Sequence, residues 1–454
     1  MRKPRHKFVE PPYYRVNRVV GAAFRFRNNP VELLSEAREE CGQVVRIRLG
    51  YMRTYLFFKP EHIKRVLQDN QSSYVKAGYS KLEPLIGHGL LSSEGEQWRM
   101  QRTVIQPAFH RQQINNMVET MVDMTDQLVD RWNDLLARGQ NVLDLELEMT
   151  QLTLSIVSRT LFGYDVGSSA HEVSDALRFV LRYGTDRIGR FFYLPESVPT
   201  RKNRRYKRSI GQLDSIVHDL IERRGNTVDS QGDLLDMMLA DVGGNGSGVA
   251  TYQQLRDQIM TFLSAGHETT AMALTWTFYL MHHNPEKAQR VRAEVKDVLG
   301  GRTPSLESVA SLPYTTAVLK ESMRLYPPVW GIARRAREDD VIGDHFVPKK
   351  SRVIVSPYVT HRDPEVWEEP ETFWPERWLN GSTRDLPKYA WFPFGGGQRQ
   401  CVGRDFALTE ATIVLAILAD RFSVEIAPWQ SVKVEPIFTL KPADGMDAIV
   451  SAIP

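Results

Sequence analysis

The feature that most constrains this sequence is a glycine-rich turn that carries a cysteine and leads straight into a helix. The turn runs from Phe394 to Gly403 and reads FGGGQRQCVG, and the residues from Arg404 to Arg421 follow with helical spacing. A thiol at Cys401 would lie near the positive end of the helix dipole and near several backbone N–H groups. Both favour the thiolate, the form of cysteine that binds metal. The turn therefore predicts a metal-binding thiolate at the start of a helix.

A lone cysteine restricts the kind of metal site. Structural zinc sites and iron–sulfur clusters take several protein ligands, whereas one thiolate suffices as the axial ligand of a haem. The alternative is that Cys401 is a small buried residue, as most free cysteines are. The pattern F-x-x-G-x-R-x-C-x-G is filled by Phe394, Gly397, Arg399, Cys401 and Gly403. This segment resembles the haem-binding loop of cytochromes P450, which implies that Cys401 ligates haem iron and that Phe394 shields the thiolate.

Composition and charge bound the class of protein. The chain has 454 residues, of which 42% are hydrophobic and 25% charged, the values of an ordinary globular protein. A net charge of +3 predicts no nucleic-acid partner. Two cysteines, Cys41 and Cys401, supply no disulfide framework, which suits a reducing compartment. The apolar run at 19–24 is far below the roughly 20 residues that span a bilayer, so we expect a soluble, cytoplasmic, bacterial-type protein without a membrane anchor.

Helical spacing occupies most of the chain. The clearest helical segments are residues 30–40, a helix that begins at Gly95, residues 112–163, a helix from Ser174 and a long helix that ends near His283. Alternating residues predict strands at 44–49 and 54–58 and short strands at 423–446. We expect an α+β fold, mainly α with small β-sheets near 40–60 and 423–450, in one domain over 1–454. The resemblance implies the cytochrome P450 fold, with haem between a long distal helix and the helix after the cysteine loop.

The long helix contains the motif AGHETT at residues 265–270. A capping box that begins at Thr251 predicts its start. Glycine within a helix costs about 1 kcal/mol relative to alanine, so we expect a kink or π-type bulge at Gly266; the alternative is a glycine that lets another helix approach. The motif matches the family's [AG]-G-x-[DE]-T-[TS] pattern at every position. The resemblance implies that Glu268 and Thr269 are the catalytic acid and alcohol that supply protons.

Further cofactor residues follow from the resemblance. Trp98 and Arg102 lie four residues apart on one helix face, and an indole N–H and a guanidinium suit a carboxylate. Taken alone, such a pair is more often packing and a solvated charge. The resemblance implies that Trp98 and Arg102 bind a haem propionate, together with Arg399 and Arg334. Arg335 is adjacent to Arg334, so the choice between these two residues stays open.

A second ion-pair motif is expected to be structural. Glu321 and Arg324 are three residues apart, and on a surface they would contribute only roughly 0.2–0.5 kcal/mol. The resemblance implies instead a buried network of Glu321, Arg324 and Arg377 beneath the thiolate loop, without a chemical role.

The resemblance also implies the reaction. We expect a haem-thiolate monooxygenase that inserts one oxygen atom of O2 into a C–H bond of a lipophilic small molecule, by hydroxylation or epoxidation. Fatty acids, terpenoids and steroids remain open as substrates. The pocket is expected to include apolar residues from the loop at 72–91 and the aromatic stretch at 179–194. The named pocket residues are Leu85, Phe179, Phe262, Ala265, Val329, Ile332 and Phe438.

The sequence contains no flavin or iron–sulfur domain. Electrons are therefore expected from NAD(P)H through a separate ferredoxin or flavodoxin-type partner that meets Arg99, Arg399 and Arg404 on a monomer. The cofactor is expected to be haem b. Two alternatives stay open: a haem-thiolate isomerase or peroxygenase, and a non-enzymatic haem sensor or carrier. The intact Glu268–Thr269 pair favours the monooxygenase over both.

Overall fold

The computed structural model describes residues 8–16, 21–79, 82–167, 170–187, 194–225, 232–243 and 251–453. The helices of this part are α1 (Ala23–Asn28), α2 (Pro30–Cys41), α3 (Pro60–Lys64), α4 (Glu83–Ile86), α5 (Gly95–Ile105), α6 (Arg111–Ala137), α7 (Leu145–Phe162), α8 (Ala170–Arg187), α9 (Arg201–Gly225), α10 (Leu234–Gly243), α11 (Tyr252–His282), α12 (Pro285–Leu299), α13 (Leu306–Ala310), α14 (Pro313–Leu325), α15 (Pro357–Thr360) and α16 (Arg404–Arg421).

The strands are β1 (Val44–Leu49), β2 (Met52–Phe57), β3 (Tyr74–Lys76), β4 (Val142–Asp144), β5 (Ile332–Ala336), β6 (Asp340–Ile342), β7 (His345–Val347), β8 (Arg352–Val355), β9 (Phe422–Ile426), β10 (Val434–Pro436), β11 (Leu440–Pro442) and β12 (Asp447–Ala452). They form a five-stranded sheet ordered β1-β2-β8-β5-β3, a three-stranded sheet β4-β12-β9 and the hairpins β6-β7 and β10-β11. In the largest sheet β2 and β8 are parallel and the other neighbours are antiparallel. The mainly helical α+β fold is therefore confirmed.

The helical core is organised around α11. The predicted capping box is confirmed, because the Thr251 hydroxyl accepts from the Gln254 N–H while the Gln254 side chain accepts from the Thr251 N–H. Helices α7, α14 and α16 pack against α11. Buried residues extend along it from Leu255 to Met281, as expected for a helix enclosed on most sides. The longest helix of the described chain is thus an axis through the core.

The motif at 265–270 does not form a π-type bulge. Residues 252–282 are α-helical throughout, so the prediction of a π-type bulge is wrong. A Cβ at Gly266 would lie only 3.1 Å from Val157 Cγ2 on α7, and the Thr153 hydroxyl of α7 donates to the His267 carbonyl oxygen (2.9 Å). Glycine is therefore present because α7 approaches closely, which is the alternative that the sequence left open.

Two predicted boundaries also change. Residues 112–163 are not one helical stretch: α6 ends before Gly139, whose φ is 77°, and β4 follows before α7. β4 forms because it pairs with β12 near the C-terminus, which local spacing cannot indicate. Helix α8 begins at Ala170, ahead of the expected Ser174. Among the helices of the described residues, none is both long and apolar enough to cross a membrane.

Candidate active site

The cysteine loop is shaped by a left-handed glycine and close backbone packing. Gly397 has a φ of 67°, which residues with side chains rarely adopt. A Cβ there would lie 2.0 Å from the Leu67 carbonyl oxygen, so the loop can pack against this neighbour only as glycine. The Cys401 N–H donates to the Phe394 carbonyl oxygen (3.0 Å), and Gly403 is the N-cap of α16. These contacts bring Cys401 to the N-terminal end of α16.

Cys401 lies on the wall of an internal space. Its side chain is accessible, yet burial raises the pKa of its thiol above the ordinary 9.0. The Gly403 N–H and the Arg102 guanidinium lower that pKa, but burial outweighs them. The stabilisation of the thiolate by a backbone N–H that the sequence predicts is therefore present, and burial acts against it. A coordinated metal ion would reverse the balance, because coordination deprotonates a thiol outright.

Helix α11 exposes one short stripe in the middle of its buried length. Ala265, Gly266, Glu268 and Thr269 are partly accessible, whereas their neighbours along the helix on both sides are buried. Residues 265, 268 and 269 share one helix face. An accessible stripe within a core helix borders an internal space, and it carries the carboxyl and hydroxyl groups of the motif.

Phe109 joins this stripe to the cysteine loop. Its ring stacks on Phe262 of α11 with centroids 5.7 Å apart and meets the edge of Phe406 of α16 at 6.2 Å. A Cβ at Gly403 would lie 3.5 Å from the Phe109 ring. Phe262 precedes the accessible stripe by one turn, and Gly403 follows Cys401 by two residues. The thiol and the acid–alcohol stripe are thus brought to the same region between α11 and α16.

The Glu268 carboxyl is held from outside its own helix. The Thr439 hydroxyl donates to Glu268 Oε1 at 2.7 Å. Glu268 Oε2 is buried and has no hydrogen-bond partner in the described part of the chain. Burial raises the pKa of Glu268, and the Thr439 hydrogen bond, Lys441 and Arg178 lower it by less. The net effect shifts the Glu268 carboxyl toward its protonated form, the form that a proton donor needs.

The two threonines of the motif have different surroundings. The Thr269 hydroxyl donates to the Ala265 carbonyl oxygen (2.9 Å), which leaves its own oxygen free to accept a hydrogen bond. Thr270 is buried and faces Glu410 of α16. The Glu410 side chain is completely buried, and burial raises its pKa well above the ordinary 4.5, although Thr270 lowers it. Burial therefore favours the neutral form of Glu410 between the two helices.

Arg399 and Trp98 lie together beside the cysteine loop. The Arg399 guanidinium carbon is 4.4 Å from the centroid of the Trp98 ring. Arg399 also donates to the Ser93 carbonyl oxygen (3.1 Å) and forms an ion pair with Glu94. The Trp98 side chain is buried, and its indole N–H makes no hydrogen bond to any described residue, so it is free to bind an added group.

The structure distinguishes Arg334 from Arg335. The strand β5 turns them to opposite sides: Arg335 is exposed, whereas burial lowers the pKa of Arg334. Arg334 donates to the Ala333 carbonyl oxygen (3.1 Å) and forms no ion pair with any described residue. A buried guanidinium without a carboxylate is costly, so Arg334 is the residue of the two that calls for an added anion.

Lys76, which the sequence did not single out, adds to this cluster. Its ammonium donates to the carbonyl oxygens of Leu90 (3.0 Å), Leu91 (2.6 Å) and Ser93 (3.3 Å). Burial, followed by the charges of Arg399 and Arg334, lowers the pKa of Lys76 to about 7. Burial is the main reason that the charged form of Lys76 is disfavoured, and the positive charges of Arg399 and Arg334 add to it.

The cluster and the cysteine together fit a haem. Lys76, Arg334 and Arg399 surround a single carboxylate, Glu94. Arg102 donates to the Gln400 carbonyl oxygen (3.0 Å) beside Cys401 and likewise has no ion pair among the described residues. The two propionates of a haem would supply the missing negative charge, and one accessible thiol supplies one axial ligand. The residues present therefore match the cofactor expected from the sequence.

Glu321, Arg324 and Arg377 form one buried network. The Arg324 guanidinium donates to both oxygens of Glu321 at 2.9 Å, and Arg377 Nε donates to Glu321 Oε1 at 3.0 Å. The indole N–H of Trp378 donates to Glu321 Oε2 at 2.9 Å. All three charged side chains are nearly or fully buried. The network joins α14 to the segment before the cysteine loop, as a scaffold would.

The expected pocket residues fall into three groups. Leu85 has no accessible surface and its carbonyl oxygen accepts from Arg256, so Leu85 is a core residue in this structure and the pocket assignment is withdrawn. Phe262 is buried against Phe109. The partly accessible members are Phe179, Ala265, Val329, Ile332 and Phe438. The aromatic residues expected at 191–193 lie outside the described residues.

Three further residues were not predicted from the sequence. Thr439 lies next to the expected pocket residue Phe438, Glu94 precedes a helix without any motif, and Glu410 lies on the buried face of α16. A carboxylate on an otherwise apolar helix was the available signal for Glu410. Thr439 and Glu94 carry no such signal, because their partners are far away in the sequence.

Comparison with known proteins agrees with this site. The family model described as "Cytochrome P450" matches residues 11–446. Cyclooctat-9-en-7-ol 5-monooxygenase of Streptomyces melanosporofaciens is 35% identical over 90% of this chain and 88% of its own length. Cyclooctatin synthase of the same organism is 34% identical, covering 93% and 91%. Pentalenene oxygenase of Streptomyces avermitilis is 31% identical, covering 90% of each chain.

Proposed function

Because the chain belongs to the cytochrome P450 family, it is a haem-thiolate monooxygenase, and we propose that its substrate is a lipophilic terpenoid. The reaction inserts one oxygen atom of O2 into a C–H bond, with electrons that start from NAD(P)H and arrive through a separate redox partner. The observation that carries the proposal is the meeting of the accessible Cys401 thiol and the Glu268–Thr269 stripe in one internal region. A sensor or carrier would need the thiol but not the acid–alcohol pair.

The cofactor is haem b. Cys401 would bind its iron, and Trp98, Arg102, Arg334 and Arg399 would hold its propionates. When bound, the haem supplies the activation of O2 and the transfer of an oxygen atom to carbon. The Gly403 N–H, which already lowers the pKa of the Cys401 thiol, would stabilise the sulfur charge.

Glu268 and Thr269, on the accessible stripe of α11, supply protons. Burial raises the pKa of Glu268 and so favours the form of this enclosed carboxyl that carries a proton. The carboxyl can release that proton toward the internal region and take another from solvent. The Thr269 hydroxyl lies one residue further along the same accessible stripe and can accept a hydrogen bond and pass on its own proton. The pair thus serves as a relay of acid and alcohol.

The substrate class rests on the pocket and on the relatives. The partly accessible pocket side chains, Phe179, Ala265, Val329, Ile332 and Phe438, are all apolar, so they favour a ligand that is mostly hydrocarbon. Relatives named for the oxygenation of cyclooctat-9-en-7-ol and pentalenene favour a terpenoid over a fatty acid or steroid. We propose a cyclic terpenoid hydrocarbon or its monoalcohol.

The redox partner is proposed to dock near the start of α16. Arg99 is exposed, and the Arg404 side chain is 49% exposed beside Asp405. Arg399, a candidate from the sequence, is only 17% exposed and is paired with Glu94, so it is removed from the docking surface. An acidic ferredoxin or flavodoxin-type protein would meet the two remaining arginines. We further propose that residues 1–454 form a single cytoplasmic, monomeric haem domain.

The test uses the purified haem protein and three ligand sets: cyclic terpenoid hydrocarbons and alcohols, fatty acids and steroids. Binding is followed by the shift of the haem Soret band, and hits are turned over with NAD(P)H and surrogate redox partners under ¹⁸O2. We expect terpenoids alone to give both a shift and a product that carries one labelled oxygen atom. A labelled product only from fatty acids or steroids would overturn the substrate class, and the absence of label from every product would overturn monooxygenation.

A further inference from the structure

The tip of the β10–β11 hairpin is held by hydrogen bonds on both sides of Thr439. The Trp330 indole N–H donates to the Ile437 carbonyl oxygen (3.2 Å). On the other side, the Leu440 N–H donates to the Pro328 carbonyl oxygen (2.9 Å) and the Trp276 indole N–H donates to the Leu440 carbonyl oxygen (2.8 Å). Because the backbone is hydrogen-bonded before and after Thr439, the Thr439 side chain has little freedom to move.

This hairpin tip faces Glu268. Trp276 follows Glu268 by eight residues on α11, which is slightly more than two turns and therefore the same face. One face of α11 thus contacts the tip twice, through Trp276 to Leu440 and through Glu268 to Thr439. The Thr439 hydroxyl is consequently fixed relative to the Glu268 carboxyl by contacts that do not involve Glu268.

The hydrogen bond makes the two carboxyl oxygens of Glu268 unequal. The Thr439 hydroxyl donates to Oε1 at 2.7 Å, whereas Oε2 is buried without a hydrogen-bond partner among the described residues. The charged groups that act on the carboxyl are Lys441 from β11 and Arg178 from α8, and Glu146 of α7 also lies within electrostatic reach. Thr439 differs from these charged groups because it forms a hydrogen bond with one carboxyl oxygen, Oε1.

We propose that Thr439 is the positioning residue of Glu268: its hydroxyl fixes the carboxyl so that Oε2 is the oxygen that carries the transferable proton. The proposal rests on the proposed role of Glu268 as a proton donor. In the transfer, the O–H bond at Oε2 breaks and the proton passes to a water molecule or polar group in the internal region. The remaining carboxylate keeps the Thr439 hydrogen bond and regains one proton from solvent, so no oxidant or reductant is consumed.

A purely structural threonine would behave differently. The Thr439 side chain has no exposed surface, so valine, which has nearly the same shape, would preserve its packing while removing the O–H donor. The hydroxyl lowers the pKa of Glu268, because it stabilises the carboxylate more than the neutral acid. Removing it should therefore raise that pKa and free the acid carbonyl, and neither change would follow from packing alone.

The experiment is infrared spectroscopy of the full-length ferric haem protein across a pH series. The carbonyl stretch of protonated Glu268 is identified by its absence in Glu268→Gln. In Thr439→Val we expect this band at higher wavenumber, with its titration midpoint raised by about 1 pH unit or more, since a hydrogen bond to a charged group contributes that much. Thr439→Ala serves as a second variant, and Thr439→Ser should keep the wild-type band and midpoint.

Thr277→Val is the matched control. Thr277 is a buried threonine of α11 whose hydroxyl, within the described part of the chain, donates only to the Ala273 carbonyl oxygen (2.6 Å), so its loss should leave the Glu268 band in place. A wild-type band and midpoint in both Thr439→Val and Thr439→Ala would overturn the proposal. If the band moves as expected but Glu268→Gln turns over O2 at the wild-type rate, the positioning stands and the proton-donor role of Glu268 fails.

Discussion

Replacing Arg324 by alanine tests whether the buried network supports the cysteine loop. The Arg324 side chain is completely buried. Its guanidinium donates to both oxygens of Glu321 and to the carbonyl oxygens of His361 (2.8 Å), Pro370 (2.6 Å) and Thr372 (3.0 Å). The variant would leave these three carbonyl oxygens without their Arg324 donor and would remove one of the two arginines that neutralise Glu321.

Breaking a buried ion pair by removing one partner costs about 3–5 kcal/mol. Against a total unfolding free energy of about 5–15 kcal/mol, the loss is about a fifth of the stability or more. We expect Arg324→Ala to unfold at much lower urea concentration and to be purified with little haem. The assay is urea unfolding followed by circular dichroism, together with the ratio of haem to protein in the purified sample.

Arg159→Ala is the control for this measurement. Arg159 pairs with Asp165 at 3.2 Å, but both side chains are well exposed, so the expected cost is about 0–1 kcal/mol with normal haem content. An Arg324→Ala protein that loses no more stability than Arg159→Ala and carries a full complement of haem would refute the reasoning.

Three further predictions concern single side chains. Thr269→Ala should still bind haem and substrate and still consume NAD(P)H, but its product yield should fall as hydrogen peroxide is released in place of product; wild-type coupling in an assay of NAD(P)H, peroxide and product would contradict this. Arg334→Met should be purified with much less haem than Arg335→Met, because Arg335 is exposed, whereas Arg334 is only partly accessible and burial lowers its pKa; equal haem content would refute the assignment. Glu410 keeps its proton to a higher pH when folded than when unfolded, since burial raises its pKa, so it costs stability increasingly as pH rises above about 4.5. Glu410→Gln should therefore be more stable than wild type at pH 8 and similar at pH 4 in chemical unfolding, and an advantage that does not grow with pH would contradict this.

Local signals in the sequence were enough to predict the helices whose ends carry distinctive residues. The capping box at Thr251 starts α11 where expected, and α16 spans Arg404–Arg421 as its spacing indicated. These predictions succeeded because the responsible hydrogen bonds and apolar faces lie within a few residues of one another.

The errors came from contacts between distant parts of the chain. Gly266 was expected to weaken α11, but its neighbour is Val157, more than 100 positions earlier, and the glycine serves their close approach. The strand β4 exists because β12 pairs with it. The same limit hid Thr439 and Lys76, whose roles depend on Glu268 and on the arginines around Glu94. Periodicity and motif spacing carry no information about such pairs.

The most direct test of the account is the carbon monoxide spectrum of the dithionite-reduced protein after Cys401→Ser. Cys401 is the accessible thiol beside the acid–alcohol stripe, whereas Cys41 ends α2, away from the cysteine loop. We predict that wild type and Cys41→Ser show the red-shifted Soret band of a thiolate-ligated haem and that Cys401→Ser, folded by circular dichroism, does not. Retention of that band in Cys401→Ser, or its loss in Cys41→Ser, would contradict the assignment of Cys401 as the iron ligand.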